Sequence, residues 1–378
     1  MGRKPVTMRL LHFVSHPIQY HAPLFRRIAA ESGLDFRVIF LRDTQGGYFD
    51  AGFGRDVRWD VPLRSGYESI TWEETDWKQE IREADAVWFH GWQGARMVRA
   101  IGYAHDQGKS VLMRGENNDC AMPDGPGVRG WLKRRFLDFI FTRCDVFLAI
   151  GKANRDYYER RGIAPSRIVD MGYAVDNDFF AAGAAAAKPH RENLRRSLGL
   201  DGRPVVLYAG KLIPRKHPEW LLKAWGEAPW PGAKPVLLYV GDGDMRATLE
   251  RHASPDVRLV GFKNQGELPA LYDLADVFVL PAEREPWGLA VNESMACGAA
   301  VVVSDQVGCA PDLVDESCGA VFPCGDVVAL GRTLADVLGR AEGAGAAARR
   351  KIAGWSFEAN LRGLRAALDL AARSRKKS

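Results

Sequence analysis

The 378-residue chain reads as an α/β protein of two doubly wound domains, and three observations carry that reading. The length exceeds one ordinary domain and suits two of about 150–180 residues. Apolar strand-like runs alternate with amphipathic segments in both halves, the pattern of mostly parallel sheets covered by helices on both faces. Between the halves, "FFAAGAAAAKPHRENLRRSLGLDGRP" (179–204) is alanine-rich, basic and closed by Gly and Pro, which is linker composition.

In the first half "MRLLHFVS" (8–15), "DFRVIFL" (35–41), "ADAVWFHG" (84–91), "KSVLMRG" (109–115) and "DVFLAIG" (145–151) predict buried strands. The intervening segments 22–32, 94–107 and 130–143 carry helical periodicity. The pattern restarts with "PVVLYAG" (204–210), "KPVLLYVG" (234–241), "VRLVGF" (257–262), "ADVFVLP" (275–281) and "AAVVVSD" (299–305), again with helical segments between. The expected division is an N-terminal domain over 1–180, a linker over 181–203 and a second domain over 204–355. A helix with a basic tail over 356–378 packs back toward the first domain. Ligands of such sheets sit beyond the C-terminal strand ends, and two domains facing each other make a cleft.

Composition narrows the function. Hydrophobic content of 47% with 26% charged residues is that of a soluble globular protein. No eighteen-residue apolar stretch is present, so no membrane span is predicted. "MGRKPVTMRLLHFVSHP" has neither the long apolar core nor the cleavage site of an export signal. Six cysteines (120, 144, 297, 309, 318, 324) form no CxxC pair and read as reduced thiols of a cytoplasmic protein. A net charge of +5 suits an anionic small ligand or an acidic membrane surface and is too diffuse for nucleic acid.

Three stretches carry chemistry. In "YAGKLIPRKHPEW" (208–220) a strand ends at Gly210, and Lys211, Arg215 and Lys216 follow before a helix start at Pro218. Cations beside a helix N-terminus form an anion site, and a solvated basic turn is the alternative. "YVGDGDMRATLE" (239–250) fails as a dinucleotide fingerprint because Arg246 takes the third glycine position. Its Asp242-Gly243-Asp244 could hold a divalent ion on a diphosphate, but a strand-to-helix turn with Asp244 as helix cap is the simpler reading.

"PAEREPWGLAVNESMACGAAVVVSD" (281–305) holds Glu285 and Glu293. Pro286 suits a first helical turn, which leaves Glu285 at the helix mouth and Glu293 inside, leaning back toward it. Free N–H groups near Gly288 and Leu289 would receive a diphosphate, with Gly288 allowing close approach. One carboxylate would accept from a sugar and the other from a ribose. The flanking "SMACGAAVVV" argues that this helix is buried.

The spacing Glu285-x7-Glu293, Gly210-Lys211 with Lys216, and the "VGDGD", "RLVGF" and "LYDLADVFVLPA" segments resemble the family 4 glycosyltransferases of the GT-B fold. "IGKANRDYYERRGIAPSRIVDMGYAVDNDFF" (150–180) is similar to that family's run into its interdomain hinge. The resemblance covers nearly the whole chain and is closest in the C-terminal half.

It implies a retaining transferase that moves a sugar from an NDP-sugar to a hydroxyl acceptor, in bacterial cell-surface polysaccharide, lipopolysaccharide or glycoconjugate synthesis. It places Gly210, Lys211, Lys216, Phe262, Glu285, Gly288, Leu289 and Glu293 at the donor, Lys211 standing where the family usually has Arg. Glu285, Lys216 and Arg114 become the catalytic candidates. Two loops depart from the family pattern: "SHPIQYHAP" (15–23) stands for a glycine-rich loop, and "MRGENND" stands where a histidine is common. His16, Gln19, Tyr20, His21, His90, Glu116 and Asn117 are therefore the acceptor-side candidates.

No cofactor and no metal are expected. The implied partners are the NDP-sugar and a glycan or lipid-linked glycan, with peripheral membrane contact at the inner face of the cytoplasmic membrane. A basic, aromatic helix over 129–143 could provide that contact, although packing onto the sheet with a basic outer face is the preferred reading. The rivals are a nucleotide-sugar epimerase on the same fold and a non-catalytic nucleotide-sugar-binding protein.

Overall fold

The computed structural model describes residues 8–44 and 46–375. The first seven residues, read above for an export signal, and the last three of the basic tail lie outside the described residues. The chain divides into two compact units. Unit 1 comprises residues 1–47, 61–173 and 357–378, and unit 2 comprises 48–60 and 174–356.

In chain order the first strands are β1 (Met8–Val14), β2 (Leu34–Phe40), the short β3 (Tyr48–Asp50) and β4 (Arg55–Val57), and β5 (Glu68–Thr71). Then come β6 (Ala86–His90), β7 (Ser110–Arg114), β8 (Val146–Ala149) and β9 (Ile168–Asp170). Unit 1 holds a seven-stranded sheet of order β5-β2-β1-β6-β7-β8-β9, parallel throughout. Its central strands are apolar on both faces because helices cover both, with Leu11, Phe13, Val87, Phe89, Val111 and Phe147 fully buried.

Unit 2 holds β10 (Val205–Ala209), β11 (Val236–Val240), β12 (Val257–Leu259), β13 (Val277–Leu280), β14 (Ala300–Ser304) and β15 (Gly319–Phe322). These form a parallel sheet of order β12-β11-β10-β13-β14-β15. The sheet order reverses direction at β1/β6 in unit 1 and at β10/β13 in unit 2. Crevices open at the C-terminal strand ends of such switch points.

Three departures from the sequence reading concern boundaries. Residues 48–57 form an antiparallel hairpin, β3–β4, that belongs to unit 2 although they lie within the expected first domain. The expected linker 181–203 is largely helical, over Asn177–Ala187 and Arg191–Ser197. Alanine is the best helix former, so the composition that reads as a linker also builds a helix. Gly183 is there for packing: a Cβ on it would come within 2.7 Å of Pro269. The unit boundary falls at 173/174.

The last helix, Phe357–Arg375, lies in unit 1. It buries Leu364, Ala367, Leu368 and Ala371, and Asn360 Nδ2 donates to the Gly172 carbonyl at 2.7 Å. All six cysteines are free thiols. Among the described residues no helix is long and apolar enough to cross a membrane.

Candidate active site

The unit 2 switch point gathers most of the donor-side residues. β10 runs out through Gly210 into the turn Pro214–Lys216, and β13 runs out into the loop 281–288. The two loops are tied together. The Glu283 N–H donates to the Arg215 carbonyl at 2.8 Å, and Arg215 Nη1 donates to the Arg284 carbonyl at 3.2 Å. The His217 ring lies between the carboxylates of Glu219 (3.0 Å) and Glu283 (3.3 Å) and stacks on Trp220. His217 (φ 47°) and Arg284 (φ 56°) are the non-glycine residues with left-handed backbone among the described residues. Such conformations cost about 1–3 kcal/mol each and gather where function fixes the chain.

These ties place the charges. Lys216 Nζ sits 3.1 Å from Glu285 Oε2, with Arg215 Nη1 at 3.8 Å from the same oxygen. Both the Lys216 and Glu285 side chains are mostly buried, so the pair is partly shielded from water. Lys211 is engaged elsewhere, its ammonium donating to both oxygens of Asp50 at 2.7 and 2.9 Å. Phe262 lies under the β3–β4 hairpin, with the Phe53 ring edge-on at 4.9 Å.

The helix expected near Pro286 begins three residues later, over Leu289–Cys297, with Gly288 at the N-cap in left-handed backbone (φ 98°). A Cβ there would come within 2.9 Å of Leu280 and 3.1 Å of Val307, so glycine is required on both counts. Residues 285–287 instead run beside 307–309, with the Gly308 N–H on the Glu285 carbonyl at 2.9 Å and the Cys309 N–H on the Trp287 carbonyl at 3.1 Å. The helix N-terminus presents backbone donors and positive dipole to the Glu285 loop.

Glu293 departs from its expected pose at the mouth. It is 2% exposed, and its carboxylate accepts the Tyr272 hydroxyl at 2.6 Å. A buried carboxylate needs such a partner, and Tyr272 supplies it from the helix Leu268–Leu274.

The Asp242-Gly243-Asp244 turn serves close packing. A Cβ on Gly241 would meet the Gly210 carbonyl at 1.8 Å, and one on Gly243 the Leu212 carbonyl at 2.6 Å. The expected Asp244 cap is absent: the next helix, Arg246–His252, has Met245 at its N-cap without a side-chain cap bond. Asp242 pairs with Arg246 at 3.6 Å.

Unit 1 gathers a second cluster at its own switch point. His21 opens the helix His21–Ala29 after β1, His90 ends β6, and Arg114 ends β7 with Glu116 two residues on. His90 Nε2 lies 3.3 Å from Glu116 Oε1, and the Tyr173 hydroxyl donates to the same oxygen. His21 Nε2 lies 3.3 Å from the Tyr173 hydroxyl. Desolvation pushes the Glu116 carboxyl up, and the His90, Tyr173 and Arg114 interactions outweigh it and hold the group below its ordinary value. Desolvation, with the nearby His90 and Arg114 charges, keeps His21 neutral well below the usual imidazole range.

Arg114, expected to face the substrate, is instead 1% exposed. It donates to the Met171 carbonyl at 3.2 Å and lies 5.0 Å over the Tyr173 ring. It is the last residue of a strand covered on both faces, so it reaches a ligand only through Tyr173 and Glu116. Among the other acceptor-side residues, His16 Nδ1 meets Ser15 Oγ at 2.8 Å, Gln19 is buried, and Tyr20 precedes the first helix. Asn117 is buried and bonds Met122 Sδ at 2.8 Å. Sequence reasoning missed Tyr173 and His12, which stacks on Trp88 at 3.8 Å beside this cluster.

Donor atoms of His21, His90 and Glu116 lie within 4.8 Å of one another, the one set among the described residues that could ligate a metal. The buried guanidinium of Arg114 beside them opposes a further positive charge.

The residues that build the unit 2 cluster fall within 190–350, the stretch that matches the family described as "Glycosyl transferases group 1", apart from Asp50 and Phe53 of the hairpin. The match to that family is confined to residues 190–350.

Two relatives extend the likeness beyond that stretch. The chain is 29% identical over 257 residues to a GDP-mannose-dependent alpha-(1-6)-phosphatidylinositol monomannoside mannosyltransferase of Mycolicibacterium smegmatis, covering 65% of this chain and 62% of that relative. It is also 29% identical over 294 residues to the corresponding monoacylated-lipid mannosyltransferase of Corynebacterium glutamicum, covering 73% and 74%. The chain thus spans less than two thirds of the first relative's length. Among solved structures, Anabaena HepE in complex with UDP superposes with a TM-score of 0.70 at 14% identity, covering 97% of this chain and all of that one. The fold is therefore the GT-B fold of glycosyltransferases.

Proposed function

We propose that the protein is a retaining hexosyltransferase that moves a sugar from an NDP-sugar to a hydroxyl of a glycan or lipid-linked glycan, in bacterial polysaccharide or glycoconjugate synthesis. The observation that carries this is the Lys216–Glu285 pair at 3.1 Å, set at a strand-end switch point and beside the N-terminus of Leu289–Cys297. A sugar diphosphate matches it: phosphate oxygens take Lys216, Lys211 and the helix N–H groups, and the sugar lies at Glu285.

In this mechanism the diphosphate departs with its charge stabilised by the lysines and the helix end. A diphosphate oxygen takes the acceptor proton while the acceptor oxygen bonds the anomeric carbon from the same face. Glu285 favours the positive charge that develops on the ring. No metal is required, because ammonium groups and the helix dipole already offset the leaving group. His21, His90, Glu116 and Tyr173 form the acceptor-side polar cluster, with Arg114 fixing Tyr173 from behind.

The names of the two mannosyltransferase relatives favour a GDP-linked donor and a lipid-linked acceptor, and the UDP bound to HepE keeps a uridine donor in the test. We also propose peripheral contact with an anionic membrane. The helix Gly127–Phe141 supports it by exposing Val128, Trp131, Leu132, Phe136 and Phe139 among Arg129, Arg134 and Arg135.

The deciding experiment incubates the protein with GDP-mannose or UDP-glucose and a panel of mannosylated and glucosylated glycolipid acceptors. Sugar transfer with retained anomeric configuration is expected. Conversion of the donor sugar without acceptor would favour the epimerase, and binding with neither reaction would favour a sensor.

A further inference from the structure

We propose that the β3–β4 hairpin is a competitive cover of the donor site, with Asp50 occupying the Lys211 ammonium until a nucleoside diphosphate displaces it. This rests on the reading that Lys211 and Phe262 belong to the donor site.

Three independent contacts hold the hairpin over those two residues. First, the Asp50 carboxylate takes Lys211 through both oxygens, and its Oδ1 also accepts the N–H groups of Gly52 (2.9 Å) and Phe53 (3.2 Å). A carboxylate held by an ammonium and backbone N–H groups offers that cation what a phosphate oxygen would offer it. Asp50 is 8% exposed; burial pushes its carboxyl up, and the Lys211 bond and charge outweigh this and leave it below its ordinary value. Second, the stem of Lys211 lies against the hairpin backbone. A Cβ on Gly52 would come within 2.6 Å of Lys211 Cδ, so glycine makes room for the lysine. Third, aromatic and cationic side chains close over Phe262: Phe53 edge-on at 4.9 Å, the Arg55 guanidinium at 5.0 Å and Trp59 at 6.2 Å.

The cover is also built to leave. Its strands are three residues each, too short to be stable without what they rest on. It is pinned at its trailing end, where Asn264 Nδ2 donates to the Arg58 carbonyl at 2.8 Å and the Gly266 N–H donates to Asp60 at 2.9 Å. At the leading end Gly46 and Gly47 precede β3, Gly47 with φ 97°. The tip is thus held by the ion pair that a diphosphate would replace and by the packing of Gly52 and Phe53. Trp59 Nε1 is buried without an acceptor, so the closed arrangement leaves one donor unsatisfied. Binding to a site that must first open is weakened by the fraction of molecules that are open.

The test is calorimetric titration of full-length protein with GDP and with UDP. Asp50→Asn keeps the shape and removes the competing charge, and it should tighten the bound nucleotide roughly 3–10-fold. Phe53→Ala uncovers Phe262 and removes the ring 5.0 Å from the Lys211 ammonium while leaving the Asp50 carboxylate in place; it should tighten binding as well and serves if the first variant folds poorly. If wild type binds a nucleotide and both variants bind it equally or more weakly, the cover is overturned and Asp50 is a residue that positions Lys211. If wild type binds neither nucleotide, the donor-site reading fails and this proposal with it.

Discussion

The two glutamates that share one motif sit in different surroundings and should fail differently. Glu285 faces Lys216 at the loop, whereas Glu293 is sealed within its helix against Tyr272. Glu285→Gln should lower kcat by about 10²-fold, the loss typical of one preorganised electrostatic contact, with the donor KM changed little. Glu293→Gln retains an acceptor for Tyr272 and should chiefly raise the donor KM. Steady-state kinetics on both variants decides it; a kcat loss confined to Glu293→Gln would reverse the roles. Lys216→Ala should weaken nucleotide binding by about 1.5–3 kcal/mol, because it removes a charge-assisted contact and strands the partly buried Glu285 carboxylate. Unchanged calorimetric affinity would remove Lys216 from the donor site.

Lys216 and Glu285 were legible because each follows a strand whose end is marked by glycine or proline. Asp50 was not: its partner is 161 positions away, and nothing in "GGYFDAGFGRD" marks it. Arg114 was legible as a site residue but not as a buried one, since the depth of a strand's last side chain depends on what the following loop lays over it. Tyr272 stood inside a quoted motif, yet its bond to Glu293 depends on how two helices pack.

At the scale of elements, the strands of both sheets could be read because two-sided burial makes them continuous apolar runs. The hairpin could not, because Arg55, Asp56 and Phe49 are exposed and leave no alternation to detect. The helix Gly127–Phe141 corrects a reading in the other direction. Its inner face is Gly130, Leu137, Ile140 and Phe141, and the aromatic residues expected to pack on the sheet point outward. Gly130 allows the close approach, since a Cβ would meet the Gly125 carbonyl at 2.0 Å.

Cosedimentation with vesicles containing anionic phospholipid should therefore be strong at low salt and fall as salt rises. Changing Trp131, Phe136 and Phe139 together to serine should abolish it while leaving nucleotide binding intact. Equal binding by wild type and the triple variant would clear this helix of any membrane role.

Across the whole molecule, buried imidazoles set a pH limit. Desolvation, aided by the His90 and Arg114 charges, lowers both His12 and His21 well below 6.5. Above pH 6.5 both states leave these rings neutral and the full stability is present. Below it the unfolded chain binds protons that the folded chain refuses, so stability falls as pH drops. The loss is up to about 1.4 kcal/mol per pH unit for each ring. Thermal unfolding from pH 7.5 to 5.5 should show a steeper decline in wild type than in a His12→Phe variant. Transfer activity should survive EDTA, because the lysines and the helix end offset the diphosphate charge. Loss restored by Mg²⁺ or Mn²⁺ would assign a metal to the site.

The interleaving of the units bears on how the chain is made. About 180 residues of unit 2 separate Tyr173 from Phe357, so the helix that covers Asp170 and Gly172 leaves the ribosome roughly 10–40 s after the sheet it completes. During that interval unit 1 waits with an apolar flank open to solvent, while unit 2 can close in full. A transcript truncated after codon 356 would then yield a sound unit 2 joined to a chaperone client. Newly made protein should depend on holdases far more than refolded protein does.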